Sequence, residues 1–208
     1  MRINHYCYTI CQPKIIRNAY MTPDEITSLL RSLADDVFSR LSYWGLRDAA
    51  LRAFRPSPAE WNIDEIIEHV MLANRYLLIL IKKGAEKAVK KAGQYDIEKA
   101  LRHYVLANPR LEQIGVNDSF EWKTPAHMLP AGAQSLYEVW EELKEQKELI
   151  LHHISMLAHG EGILHKTWMS VNSLGALDVY QYIYFLLMHM RRHIEQMEQN
   201  EARFARNN

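Results

Sequence analysis

The sequence predicts an all-α domain: a four-helix bundle with a long crossover between its second and third main helices. Three observations predict it. Four segments carry apolar residues at three- and four-residue steps, three of them open on an N-terminal capping pattern, and no segment shows the period-two alternation or β-branched clustering of strands. The first segment begins with Thr22 as N-cap, Pro23 at the first helical position and Glu25 closing a Thr-x-x-Glu box. Ile26, Leu30, Leu33, Val37, Leu41 and Trp44 then give one apolar face, and Pro56 and Pro58 end the element. The second starts at Asn62 with Glu65 three residues on. It carries Ile63, Ile66, Ile67, Val70, Ala73, Leu77 and Ile81 up to Lys82-Lys83-Gly84. Ser135 and Glu138 open the third, whose stripe is Leu136, Trp140, Leu143, Ile150, Ile154 and Leu157, ending near His159-Gly160. In the fourth, Gly175 and Asp178 precede Val179, Tyr182, Ile183, Leu186, Leu187, Met190, Ile194 and Met197. The polar stretch 198–208 is expected to fray.

About fifty residues separate the second and third helices, more than an antiparallel hairpin connection needs. Residues 95–106 read as a short extra helix closed by Asn108-Pro109. Beyond it lies an aperiodic loop holding Trp122, Pro125, His127 and Pro130, of a length that often covers a site. A second irregular stretch, 160–175, contains His165 and Trp168.

Composition bounds the function. With 208 residues, 25 Lys+Arg against 25 Asp+Glu and 48% hydrophobic residues, the chain reads as one globular domain, residues 21–208, preceded by an extension of residues 1–20. Zero net charge argues against a broad basic surface for nucleic acid or anionic membrane, and no apolar run approaches the ~20 residues of a membrane span. Two cysteines, Cys7 and Cys11, cannot staple a domain of this size. With no secretory pattern at the start, the expected location is the cytoplasm. His5 with these cysteines is a weak metal-ligand pattern, set against a loosely packed arm.

His189-x-x-x-His193 is the sharpest chemical feature. Positions four apart on a helix differ by about 40° around the axis, so both imidazoles leave one face. On the seam Val179, Tyr182, Leu186, His189, His193, Gln196 they occupy places that should be apolar. His69 does the same on the seam Ile66, His69, Ala73, Tyr76, Leu80. Three inward imidazoles need partners, and a divalent ion supplies one to all three. The competing readings are a solvent-facing basic patch with Arg191 and Arg192, or satisfied core histidines without metal.

Over residues 22–200 the chain resembles the DinB-like (DinB/YfiT-type) superfamily of metal-dependent four-helix bundles. The resemblance lies in the run Trp61-Asn-Ile-Asp-Glu-Ile-Ile-Glu-His69, in the 125–130 loop, and in the segment from His165 through Gly175 to His189-Met-Arg-Arg-His193-Ile-Glu-Gln196. It implies that His69, His189 and His193 are metal ligands, with zinc or nickel as the ion and iron or manganese also open. It further implies hydrolase or thiol-dependent transferase chemistry on a small molecule, and a homodimer. Three histidines leave a fourth tetrahedral position for water or a thiol, the pattern of catalytic zinc. Glu68 and His165 are candidate catalytic acid–base groups. Glu68 is expected about 100° round the helix from His69, toward the surface. Asn74, Tyr76, Tyr182 and His127 are candidate pocket residues, against which stand ordinary core aromatics and surface histidines. The alternative function is a non-catalytic metal-binding or stress-associated bundle, its fourth position closed by His127, His165 or a carboxylate. His152 and His153, adjacent on a helix, cannot chelate together, and the 82–91 lysines read as a solvated face.

Overall fold

A computed structural model describes residues 21–207; the extension, with Cys7, Cys11 and His5, lies outside the described residues. Four long helices dominate: α1 (Pro23–Gly45), α3 (Ile63–Lys91), α6 (Leu136–Met156) and α7 (Val179–Asn207). Shorter helices are α2 (Ala49–Ala53), α4 (Ile97–Leu101) and α5 (Pro109–Gln113). The all-α class holds. α3 packs against α6 and α7, and α1 closes the arrangement against the same two. Ile26, Leu30 and Leu41 of α1, Ile66 and Val70 of α3, Ile150 of α6 and Leu186 of α7 are all fully buried in the shared core. No helix among the described residues is long and apolar enough to cross a membrane.

All three capping boxes form, with Thr22 and Glu25, Asn62 and Glu65, and Ser135 and Glu138 exchanging hydrogen bonds reciprocally. Boundaries set by tertiary contact depart from the sequence expectation. α3 runs through Gly84 to Lys91, because this glycine sits inside the helix where a Cβ would approach Val179 Cγ2 to 3.2 Å. The extra helix expected over 95–106 stops at Leu101. Beyond it Tyr104 donates to Asp178 Oδ1 at 3.1 Å and Val105 O accepts from Gln181 Nε2 at 3.0 Å, which draws the backbone onto the start of α7. Asn108 and Pro109 do not close that helix but open α5, as its N-cap and first residue.

α7 does not fray at residue 198. Glu198 pairs with Arg40 at 2.8 Å, Glu201 with Arg47, and Arg203 with Glu60 at 2.6 Å, while Asn200 Nδ2 donates to Trp61 O at 3.0 Å. These ties carry the helix to Asn207. The sequence also gives no sign of a small antiparallel hairpin before α7, β1 (Lys166–Met169) and β2 (Gly175–Asp178), in register Lys166↔Asp178 to Met169↔Gly175. Its strands are four residues long, too short for alternation to register. A turn with positive φ at Asn172 and Ser173 joins them, and Gly175, also at positive φ, opens β2.

Asp178 ends the hairpin and starts α7. Its Oδ1 accepts from Gln181 N at 3.0 Å, and its own N–H donates to Gln181 Oε1 at 3.2 Å. Burial pushes its carboxyl up from 3.8 to about 6, against the opposing pull of the hydrogen bonds it accepts from Gln181 N and the Tyr104 hydroxyl. A carboxyl whose folded value lies above its unfolded one binds more protons when folded, so its contribution is present at low pH and falls as pH rises from about 4 to 6. Relative to Asp178→Asn, the wild type is expected to lose on the order of 2 kcal/mol of stability between pH 4 and pH 7. Urea titrations of the two proteins check this; parallel profiles refute it.

Candidate metal centre

His69 points from the second turn of α3 and His189 and His193 from one face of α7, all three buried. Each offers one nitrogen, and the three nitrogens lie within 4.8 Å of one another. His193 Nε2 is 3.1 Å from His189 Nε2, and the three ring centroids are separated by 4.5 to 5.3 Å. Two nitrogens bound tetrahedrally at about 2.0 Å would stand about 3.3 Å apart, so the α7 pair already has the spacing of a chelate.

Outer hydrogen bonds fix the tautomers of two of the three rings. His69 Nδ1 lies 2.7 Å from Met128 O; a carbonyl only accepts, so Nδ1 carries the proton and Nε2 keeps a free lone pair. His193 Nδ1 donates in the same way to Gln196 Oε1 at 2.9 Å. His189 directs Nε2 at His193, and its Nδ1 is buried with no partner among the described residues. Burial lowers the pKa of all three, and the mutual repulsion of His189, His193 and His69 adds to it on α7, so all three are neutral at pH 7. Neutral imidazoles whose inner nitrogens converge suit a divalent ion, which would replace the His189–His193 hydrogen bond. The group includes no fourth His, Cys, Asp or Glu among the described residues.

Alongside the triad lies a cavity of about 330 Å³ between α3, α7 and the crossover loop. Trp61, Trp122, Phe185 and Leu77 give it apolar walls, and Asn117, Arg192 and Gln196 add polar groups. Trp61 packs against His69 in a tilted contact at 4.8 Å and Trp122 lies 5.3 Å from His189, so indole rings cover both imidazoles.

The other residues singled out by sequence are dispersed. Tyr76 lines the cavity, and exposed His127 of the crossover loop packs its ring against it, tilted, with centroids 4.2 Å apart, without reaching the triad. Asn74 is fully buried between α3 and α7, with Nδ2 3.6 Å from Met190 Sδ, and lies outside the cavity wall. Tyr182 is buried and donates to Trp168 O at 3.0 Å, fastening the hairpin to α7. His165 stands at the start of the hairpin, near Gly84 and the lysines Lys87 and Lys91. It is not part of the triad or its cavity wall.

Glu68 is buried, contrary to the surface position expected from its angle on the helix. The crossover loop covers that face: Glu68 Oε1 accepts from Ala131 N at 3.1 Å and Oε2 from Gly132 N at 3.0 Å. The same loop delivers the Met128 carbonyl to His69. Glu68 thus anchors the segment that orients its neighbour. Glu68→Ala is expected to cost about 2 kcal/mol and to speed amide exchange at Ala131 and Gly132. Unchanged exchange there would remove the anchoring role.

Three contributors escaped sequence reasoning: the Met128 carbonyl, Trp122 and Phe185. A backbone acceptor has no sequence signature, and a tryptophan in an aperiodic loop gives no hint of which helix it will meet. The profile of the DinB superfamily matches residues 20–197, so the chain belongs to that superfamily. No curated protein and no solved structure matches it.

Proposed function

We propose that this DinB-superfamily chain is a metal-dependent enzyme in which His69, His189 and His193 hold one divalent ion and leave a coordination position facing the cavity. The observation carrying the proposal is the convergence of three neutral, buried imidazoles with no fourth donor group among the described residues. Zinc and nickel suit such a ligand set best, and iron or manganese also accept imidazole. A bound ion would act as a Lewis acid, bringing the pKa of a water or small thiol in the open position toward neutrality.

The chain's own residues supply the rest. Met128 O and Gln196 Oε1 hold the His69 and His193 rings in one tautomer and make them better donors. Trp61 and Trp122 exclude bulk water, which strengthens every charge interaction inside. The reaction types that fit are hydrolysis by an activated water and group transfer to an activated thiol. A non-catalytic metal store would call for a closed fourth position; the adjoining cavity and the distance of His127 and His165 from the triad favour chemistry.

Elemental mass spectrometry on tag-free protein tests the proposal. The wild type is expected to carry close to one equivalent of zinc or nickel, lost in both His69→Ala and His189→Ala. No bound metal, and no uptake when either ion is supplied, would overturn it.

A further inference from the structure

Arg192 is a buried cation without an anion. Its side chain lines the cavity beside the triad, and the residue is only 7% exposed. Nη1 donates to Val116 O at 2.6 Å and lies 3.4 Å from Ser119 Oγ, and the guanidinium sits over the rings of Phe120 at 5.1 Å and Trp122 at 5.6 Å. No carboxylate among the described residues forms an ion pair with it. The acidic groups that act on it electrostatically, Asp118 and Glu195, are both bonded to Asn117: Asp118 Oδ2 accepts from Nδ2 at 3.0 Å and Glu195 Oε2 from the backbone N–H at 2.8 Å. The Nε and Nη2 edge makes no hydrogen bond with any described residue. That edge is not sealed from solvent, and the side chain lines the cavity, so an arginine that stays charged wherever it is placed has donors open there to a matching anion.

We infer that Arg192 is the recognition group for a substrate carboxylate, and that the ligand is a small carboxylic acid with an apolar body. The fork of the guanidinium fits a carboxylate through two parallel N–H···O bonds, and a single guanidinium balances one negative charge. Trp61, Trp122, Phe185 and Leu77 supply an apolar slot for the rest of the molecule, and about 330 Å³ limits it to the small end of ligand pockets. The inference rests on the three-histidine reading for what lies at the reacting end. With its carboxylate held at Arg192, the acid presents another part of its body to the position that the triad leaves open, while Phe120 and Trp122 keep the ion pair dry.

Calorimetric titration with benzoate, benzamide and phenyl phosphate tests this, on protein loaded with zinc and on protein treated with chelator. Benzoate and its neutral isostere share size and apolar surface, so their difference reads the carboxylate contact. Benzoate is expected to bind about ten- to a hundredfold more tightly than benzamide in wild type. In Arg192→Gln the difference should vanish while benzamide affinity is unchanged; Arg192→Lys, which keeps the charge without the fork, should retain only part of it. Equal affinities in wild type, no binding of either compound, or tighter binding of phenyl phosphate would overturn the inference. So would loss of benzamide binding together with benzoate in the variants, which would make Arg192 only the clamp of the 116–120 segment. Failure to take up zinc sinks the three-histidine reading, whereas failure to discriminate in both forms of the protein sinks the carboxylate assignment.

Discussion

Chelation of the metal-loaded protein is expected to lower its melting temperature by about 10 °C, and the same treatment should leave His193→Ala unmoved. An ion that binds only the folded state stabilises it by RT ln(1 + [L]/Kd), about 4 kcal/mol when free metal exceeds Kd a thousandfold. For a chain of this size each kcal/mol moves the midpoint by about 2–4 °C. The site has the features that confine the ion to the native state. His69 comes from α3 and the other two histidines from α7, so unfolding separates them by more than a hundred residues of chain. Neutral, buried imidazoles also mean that little proton release opposes binding at pH 7. Differential scanning fluorimetry, with and without chelator, on wild type and on His69→Ala, His189→Ala and His193→Ala supplies the check. A shift of the same size in the variants would place the ion elsewhere, and no shift in the wild type would leave three core histidines without a metal.

The triad could be read from sequence because its signal was a conflict between residue type and pattern. His69, His189 and His193 interrupt stripes that are otherwise apolar, and periodicity alone says that such positions turn inward. Helix starts were equally legible, since a capping box is a local four-residue device and all three formed where the residues put them. Helix ends were not. Gly84 looked like a stop and instead lets α3 approach Val179, while the polar end of α7 looked frayed and is pinned by Arg40, Arg47, Trp61 and Glu60. In both cases the deciding contact is more than ninety residues away in sequence. Glu68 failed for the same reason: a helical wheel gives its angle correctly, but not that the crossover loop would close over that angle and present two amide protons to it.

Trp122→Ala is expected to cost about 3 kcal/mol and to raise the pH at which the site loses its metal. Large-to-small changes at packed aromatics cost about 3–5 kcal/mol, and the half-buried position of Trp122 puts it at the lower end. Its ring stacks on Phe120 at 5.3 Å, lies 5.9 Å from Phe185 and 5.3 Å from His189, and forms one of the two aromatic faces over Arg192. Because the crossover loop has no regular structure here, few backbone hydrogen bonds remain to hold it down once the ring is gone. The second effect follows from why His189 is such a poor base. Desolvation is the first cause of its lowered pKa, so removing the indole that covers it lets water in and returns the pKa toward 6.5. A ligand imidazole must be neutral to hold the ion; with its pKa well below 6.5, protons compete little near pH 6, and with the pKa restored they compete there directly. Metal retention measured across pH 5 to 7 should therefore fall off at higher pH in Trp122→Ala than in wild type, with Trp122→Phe in between. Since lost packing alone lowers stability without altering a proton affinity, an unmoved retention curve beside a destabilised fold would mean that Trp122 supports the loop but does not seal the site.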